Sequence, residues 1–242
     1  MTERANIPSL VKLTGVIEHY SVARSSASFV FTNDDRTALG VVAIAASLAG
    51  QAGQAISTAS SITSTEEDAD YVSFQVAGQR VRGWVWRSPF ADGDIVDVIG
   101  ESKVDHLELA AIVRPADRII ALYPHCSRGR SRHIWNAVKW WLLGSTLFLL
   151  AWISLLLLIG STESFVRGLA DGTGYVYFGM YVFFGLMAAS LAYRWMPFVR
   201  VAERVFTALG WSNPGSVDLP KATKAHRKTG DPGELGTFYF RY

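Results

Sequence analysis

The chain of 242 residues has a single cysteine, Cys126, so no internal disulfide can staple it. Only five histidines are present, and there is no nucleophile elbow, P-loop, paired His on a helix or Cys-x-x-Cys. The glycines of Gly168 to Gly174 lie in a short loop without the preceding strand that a phosphate cradle needs. His125, Cys126 and His133 are the nearest approach to a metal set, yet the intervening residues are cationic and no fourth ligand is evident. His19, His106 and His226 have no acid–base partner identifiable from sequence. These absences predict a protein that is not an enzyme and that needs no metal or other cofactor.

Charge is missing too, from three long stretches. Trp140 to Thr162 and Gly172 to Tyr193, of 23 and 22 residues, hold none. As helices rising about 1.5 Å per residue, each is long enough to cross a hydrocarbon core roughly 30 Å thick. A nine-residue turn with Glu163, Arg167 and Asp171 separates them, so the pair is expected to form a transmembrane hairpin with spans at about 138–162 and 172–194. Arg128, Arg130, Arg132 and Lys139 precede it and Arg194, Arg200 and Arg204 follow it, whereas Arg167 is alone in the loop. That asymmetry predicts a multi-pass inner-membrane protein with both termini cytoplasmic. The same seven cations are expected to attract anionic lipid headgroups, at about 1 kcal/mol per residue near the surface. Trp135, Trp140, Trp141 and Trp195 on the basic side, with Tyr175 and Tyr177 opposite, have the character of interface anchors or of packing within the hairpin. Met1 to Thr14 is polar and interrupted by Glu3, Arg4 and Lys12, so no signal peptide is expected.

The third stretch, Thr37 to Thr65, is uncharged but rich in Ala, Gly, Ser and Gln. Small residues recur every fourth position at Ala45, Ala49, Gly53, Ser57 and Ser61, which would give a helix a ridge suited to close packing or oligomerisation. Only Ala38 to Ala49 is strongly apolar, so the segment is expected to pack on the soluble domain or to be an insertion between strands. The alternative is entry into a bilayer on oligomerisation, with Gln and Ser facing a wet lumen.

What charge there is divides unevenly. Residues 1–126 carry 10 Lys/Arg and 15 Asp/Glu, a net −5, and residues 127–242 carry 13 and 6, a net +7. An acidic soluble domain argues against nucleic acid as the partner, since such binding depends on phosphate neutralisation. Within it, Val11 to His19, Ser28 to Thr32, Tyr71 to Val76, Gln79 to Trp86, Ile95 to Gly100 and His106 to Val113 alternate as strands between turn signals. The run Glu66, Glu67, Asp68 and Asp70 is expected to be a solvated loop. Arg80, Arg82, Trp84 and Trp86 share one strand face, where the tryptophans either fill a barrel or face a ligand. The fold class expected is α+β: a small antiparallel, OB-like barrel in residues 1–126 with a helical insertion at 37–65, then a basic linker and hairpin at 127–196. Residues 197–242 are expected to be an amphipathic helix, lying in the membrane interface or under the soluble domain, and an irregular cytoplasmic tail. The end of that tail, Phe238 to Tyr242, is aromatic enough to dock as an edge strand.

The segments KLTGVIEHY, GVVAIAASLAGQAGQA, GWVWRSPFADGDIVDVI, RPADRIIALYPHCSRGRSRH and two spans follow one another over roughly residues 10 to 200. In this order the chain resembles a family of bacterial inner-membrane proteins assigned as type VI secretion system effectors. The resemblance implies a Gram-negative protein tied to interbacterial competition, without distinguishing a delivered toxin from an immunity or accessory protein. Two expectations follow: a membrane-perturbing factor that oligomerises into a pore, or a membrane-anchored module whose barrel captures a protein partner.

Overall fold

The computed structural model describes residues 10–27, 67–160, 163, 167–168, 171–172 and 174–242. These divide into two compact units, one formed by the described residues up to Arg130 together with Pro197–Tyr242, the other lying within Ser131–Met196.

The first unit is built on strands β1 (Leu10–Ala27), β2 (Glu67–Val76), β3 (Gln79–Val85), β4 (Ile95–Ser102), β5 (Leu107–Arg114), β6 (Ile119–Leu122) and β7 (Phe240–Arg241). They hydrogen-bond in the order β3-β2-β1-β4-β5-β6-β7, and a parallel β3–β5 pairing, Val81 to Leu107 and Arg82 to Glu108, closes β1–β5 into a five-stranded barrel. Closure of this kind removes free edges from those five strands. β1 serves two neighbours because it is long: Leu10–Val16 pair with β4, and Ile17–Ala27 pair with β2. The register slips between Glu18 and Ser21, around His19 at φ 56°, and such a bulge bends the strand from one partner to the other.

Alternation accounts for the interior. Val72, Phe74 and Val76 of β2, Val81 and Val85 of β3, Val96 and Val98 of β4, and Leu107, Leu109 and Ile112 of β5 enclose one apolar cluster with Ile17. Two glycines set the wall spacing. A Cβ on Gly83 would lie 2.7 Å from Leu109 Cβ, and one on Gly100 would lie 2.4 Å from the Glu108 carbonyl oxygen. Trp84 and Trp86 do not belong to the interior cluster. Trp84 packs edge-on against Tyr71 at 5.1 Å, and Trp86 meets His125 at 4.9 Å and Phe238 at 5.6 Å.

Four helices occur among the described residues: α1 (Arg130–Ile159), α2 (Gly174–Arg194), α3 (Met196–Ala208) and α4 (Leu219–Ala225). α3 buries Phe198, Val199, Val201, Ala202, Val205 and Phe206, and Phe198 lies 6.5 Å from the ring of Tyr123. It is therefore packed on the barrel unit rather than exposed for a lipid interface. The tail read as irregular from its Pro and Gly content is ordered around α4, a 3-10 turn at Pro214–Ser216 and β7. Leu235 and Tyr239 enter the barrel's own cluster, and Arg241 pairs with Ile119 as an edge strand.

Two further expectations change. The acidic run is not a loop from Glu67 onward, because Asp68 and Asp70 lie in β2 opposite Ser26 and Arg24; Asp70 is buried and accepts a hydrogen bond from the Ser88 N–H at 2.9 Å. Ile119–Leu122, which is not among the strands expected from alternation, is the fully buried β6. Ser28 to Thr32 and Thr37 to Thr65 lie outside the described residues, although the connection that contains both joins β1 to β2.

In the second unit α1 and α2 pair through Trp141 and Tyr181 at 5.2 Å and Phe148 and Phe184 at 5.3 Å. The Trp141 Nε1–H donates to the Tyr181 carbonyl at 3.3 Å, and Gly185 makes room for that indole, since a Cβ there would sit 3.1 Å from it.

Candidate functional site

Two features stand out: the apolar hairpin, and a buried charged cluster at one end of the barrel. Both α1 and α2 are long and apolar enough to cross a membrane. A helix from the core of a soluble protein would be mostly buried, whereas Ser145 is the one residue of α1 that is buried and α2 buries none of the residues described. Leu143, Leu147, Leu150, Leu158, Phe178, Phe183 and Leu186 are all exposed. An apolar surface of that extent is costly in water and favourable in lipid. Several polar side chains of the hairpin are used within it. Thr146 Oγ1 lies 3.2 Å from Tyr181 Oη, Ser154 donates to the Leu150 carbonyl at 2.8 Å, and His133 Nε2 lies 3.0 Å from the Ala192 carbonyl.

The chain enters α1 through a tight root. The Gly129 N–H donates to the Val217 carbonyl at 2.9 Å, and the Leu219 N–H to that of Ser127 at 3.1 Å. Arg128 Nε reaches Asp218 Oδ1 at 3.3 Å. At the start of α1 the Arg130 N–H donates to Glu203 Oε1 at 2.8 Å, so a carboxylate from α3 satisfies one of the helix's open donors. Gly129 is required here, because a Cβ would fall 2.1 Å from the Pro214 carbonyl oxygen.

The second feature is the turn between β4 and β5. Glu101 and Glu108 are cross-strand partners, 4% and 3% exposed. Lys103 Nζ holds Glu101 Oε1 at 2.5 Å, while His106 presents Nε2 to Glu108 Oε2 at 3.0 Å and Nδ1 to Asp105 Oδ1 at 2.6 Å. Burial pushes the Glu108 carboxyl above its ordinary range, against the opposing pull of His106 and Lys103. Burial by itself would lower the His106 imidazolium pKa, but the hydrogen bonds to Glu108 and Asp105 outweigh it and raise the value above the ordinary one.

No protein-family model, curated protein or solved structure matches this chain.

The seven cations expected at the lipid face are placed differently from one another. Lys139 Nζ lies 5.9 Å from the ring centroid of Trp140 on α1, and Arg194 is in the last turn of α2. Arg128 is tied to Asp218, and Arg130 and Arg132 occupy the first turn of α1. Arg200 and Arg204 belong to α3 in the barrel unit; Arg200 is exposed, while Arg204 is partly buried and its pKa is lowered by burial and supported by the charge of Glu101. Ala45, Ala49, Gly53 and Ser57, the candidate oligomerisation ridge, lie outside the described residues. No group of three or more His, Cys, Asp or Glu able to hold a metal occurs among the described residues. Sequence reasoning missed the Glu101–His106–Glu108 cluster. The available signal was two carboxylates in mostly apolar strands, joined by a turn with Lys103, Asp105 and His106.

Proposed function

We propose that this chain is an inner-membrane protein in which the hairpin anchors an OB-like barrel at the cytoplasmic face, where the barrel binds a protein partner in interbacterial competition. The observation that carries the anchor is the insertion of the hairpin within a single folded unit. Residues on both sides of it, through β6–β7, the Arg128–Asp218 pair and the root hydrogen bonds, build one barrel unit. A folded unit occupies one side of a bilayer, so an anchor inserted within it has to cross an even number of times. Two apolar helices meet that demand.

The barrel supports the binding half of the proposal. Its strands close in the cyclic order β1-β2-β3-β5-β4, which fits an OB-like barrel. Such barrels meet ligands on the β2–β3 face and at the β1–β2 and β4–β5 connections. Here that face carries Tyr71, Arg82 and Trp84, and the β1–β2 connection carries the uncharged segment Thr37 to Thr65. The net −5 of residues 1–126 favours a protein ligand over a polyanion. The anionic lipid contacts fall to Arg130, Arg132, Lys139 and Arg194 at the ends of the hairpin.

A second reading, a pore-forming effector, is favoured by one observation: 29 consecutive uncharged residues, Thr37 to Thr65, lie in chain order between β1 and β2. The hairpin alone supports it poorly, since Thr146, Ser154 and His133 are used within the hairpin instead of lining a polar stripe. Expression of the whole chain and of a variant lacking residues 37–65 in a susceptible bacterium, with membrane potential recorded, separates the two. The anchor reading expects an unchanged potential in both strains. Depolarisation by the whole chain that vanishes with the deletion would replace it by the pore.

A further inference from the structure

The β4–β5 turn carries a second device, independent of the anchor. Glu101 and Glu108 face one another across an antiparallel pair, and each is almost wholly buried. Two ionised carboxylates so placed repel, and neither can be solvated. Their neutralising groups, Lys103 and His106, both come from the short turn that follows Glu101. The turn is closed by a hydrogen bond from the Lys103 N–H to the His106 carbonyl at 2.9 Å.

The imidazole is held on both sides. Nε2 faces Glu108 Oε2 at 3.0 Å and Nδ1 faces Asp105 Oδ1 at 2.6 Å. While Glu108 and Asp105 are ionised their oxygens only accept, so both contacts are then hydrogen bonds only when both ring nitrogens carry protons. A neutral ring would present a lone pair to one carboxylate. Other charged and titratable groups surround the cluster. Arg82 of β3 is in register with Glu108 and acts on Asp105 and on Tyr71 of β2; Arg204 of α3 acts on Glu101. Tyr71 is neutral at physiological pH, its phenol pushed further up by burial.

We infer that His106 is a proton-operated clasp on the β4–β5 turn: the doubly protonated ring holds Lys103–His106 closed over Glu101 and Glu108, and loss of one ring proton to solvent opens it. The linkage signs agree with that direction. A histidine whose folded value is raised contributes stability below its unfolded value and loses it as pH rises through the folded one. Glu108, also raised, likewise favours the fold less as pH rises. Opening would free the turn whose tip carries the fully exposed Val104, at the end of the barrel where OB-like folds meet ligands.

The test uses the full chain in detergent micelles. The ring of His106 is titrated by NMR between pH 5 and 10 (about the span over which a raised imidazole changes charge), alongside hydrogen exchange of the Lys103 amide corrected for intrinsic rate. The expected result is a midpoint above the ordinary imidazole value and a fall in Lys103 protection of about tenfold or more through that midpoint. Glu108→Gln should bring the midpoint down, and His106→Gln should abolish the pH-dependent step in protection. A midpoint at or below the ordinary value, or protection that does not change while the ring titrates, would overturn the clasp. Should His106→Gln fail to fold, the wild-type and Glu108→Gln titrations decide it.

Discussion

At the scale of single residues, the tail is secured by charge pairs whose pH dependence runs opposite to that of His106. Arg241 grips Asp231 with two hydrogen bonds, Nη1 to Oδ2 at 2.5 Å and Nη2 to Oδ1 at 3.0 Å. Those bonds, with a further one from the Lys228 N–H, pull the Asp231 carboxyl down to about 2. A carboxylate with a depressed folded value stabilises the fold above its unfolded value and loses that contribution as pH falls. The barrel unit should therefore lose stability between about pH 4 and about pH 2 through this group. Chemical denaturation at stepped pH checks this: Asp231→Asn should be weaker than wild type at neutral pH and should lack that part of the acid-side slope. An unchanged slope would assign the acid sensitivity elsewhere. Neither Arg241–Asp231 nor His106–Glu108 was legible as a pair in the sequence, for different reasons. The first joins residues across a tail that looks irregular from its composition, and the second depends on a turn that brings both ends of its cluster beneath one ring.

At the scale of elements, alternation made β2 and β3 legible, because one face of each lines a closed barrel and the other is less buried, whereas β5 is buried on both faces and was legible by its length and its bounding turn. β6 was not legible: Ile119–Leu122 is only four residues long and buried on both faces, so it shows no alternation, and its flanks are basic. The C-terminal strand was legible from its aromatics, yet its depth was not. Leu235 is 1% exposed and sits in the same cluster as Phe74 and Leu109, so the tail is part of the core rather than an appendage. The amphipathic pattern of α3 identified its buried face correctly, but such a pattern cannot distinguish a lipid surface from a protein one. These placements give Leu235→Ala a definite expectation. Truncating a fully buried leucine should cost about 2–5 kcal/mol, seen as a lower midpoint in denaturant without loss of membrane association. A surface tail would show almost no change.

At the scale of the whole chain, the two long apolar helices were the most legible part, since length and lack of charge carry them without any tertiary context. The sequence hinted at a docked C-terminal strand but not that residues on either side of the hairpin complete one barrel unit, and that connectivity makes sidedness testable in a direct way. Cys126 is the sole cysteine, it is buried, and burial pushes its thiol far above the ordinary range, so it should be unreactive toward maleimides in the folded protein. The wild-type chain is thus a blank background for single-cysteine labelling. Arg167, in the connection between α1 and α2, is exposed, as are Glu18 on β1 and Lys224 on α4. With a membrane-impermeant maleimide on spheroplasts, Arg167→Cys should label before lysis. Glu18→Cys and Lys224→Cys should label only after it, and they should behave alike because one precedes the hairpin and the other follows it within the same folded unit. Labelling of Glu18→Cys and Lys224→Cys from opposite sides would require an odd number of crossings and would break the barrel unit apart. Labelling of all three only after lysis would mean that α1 and α2 lie along the membrane or away from it, and the anchor would have to be abandoned.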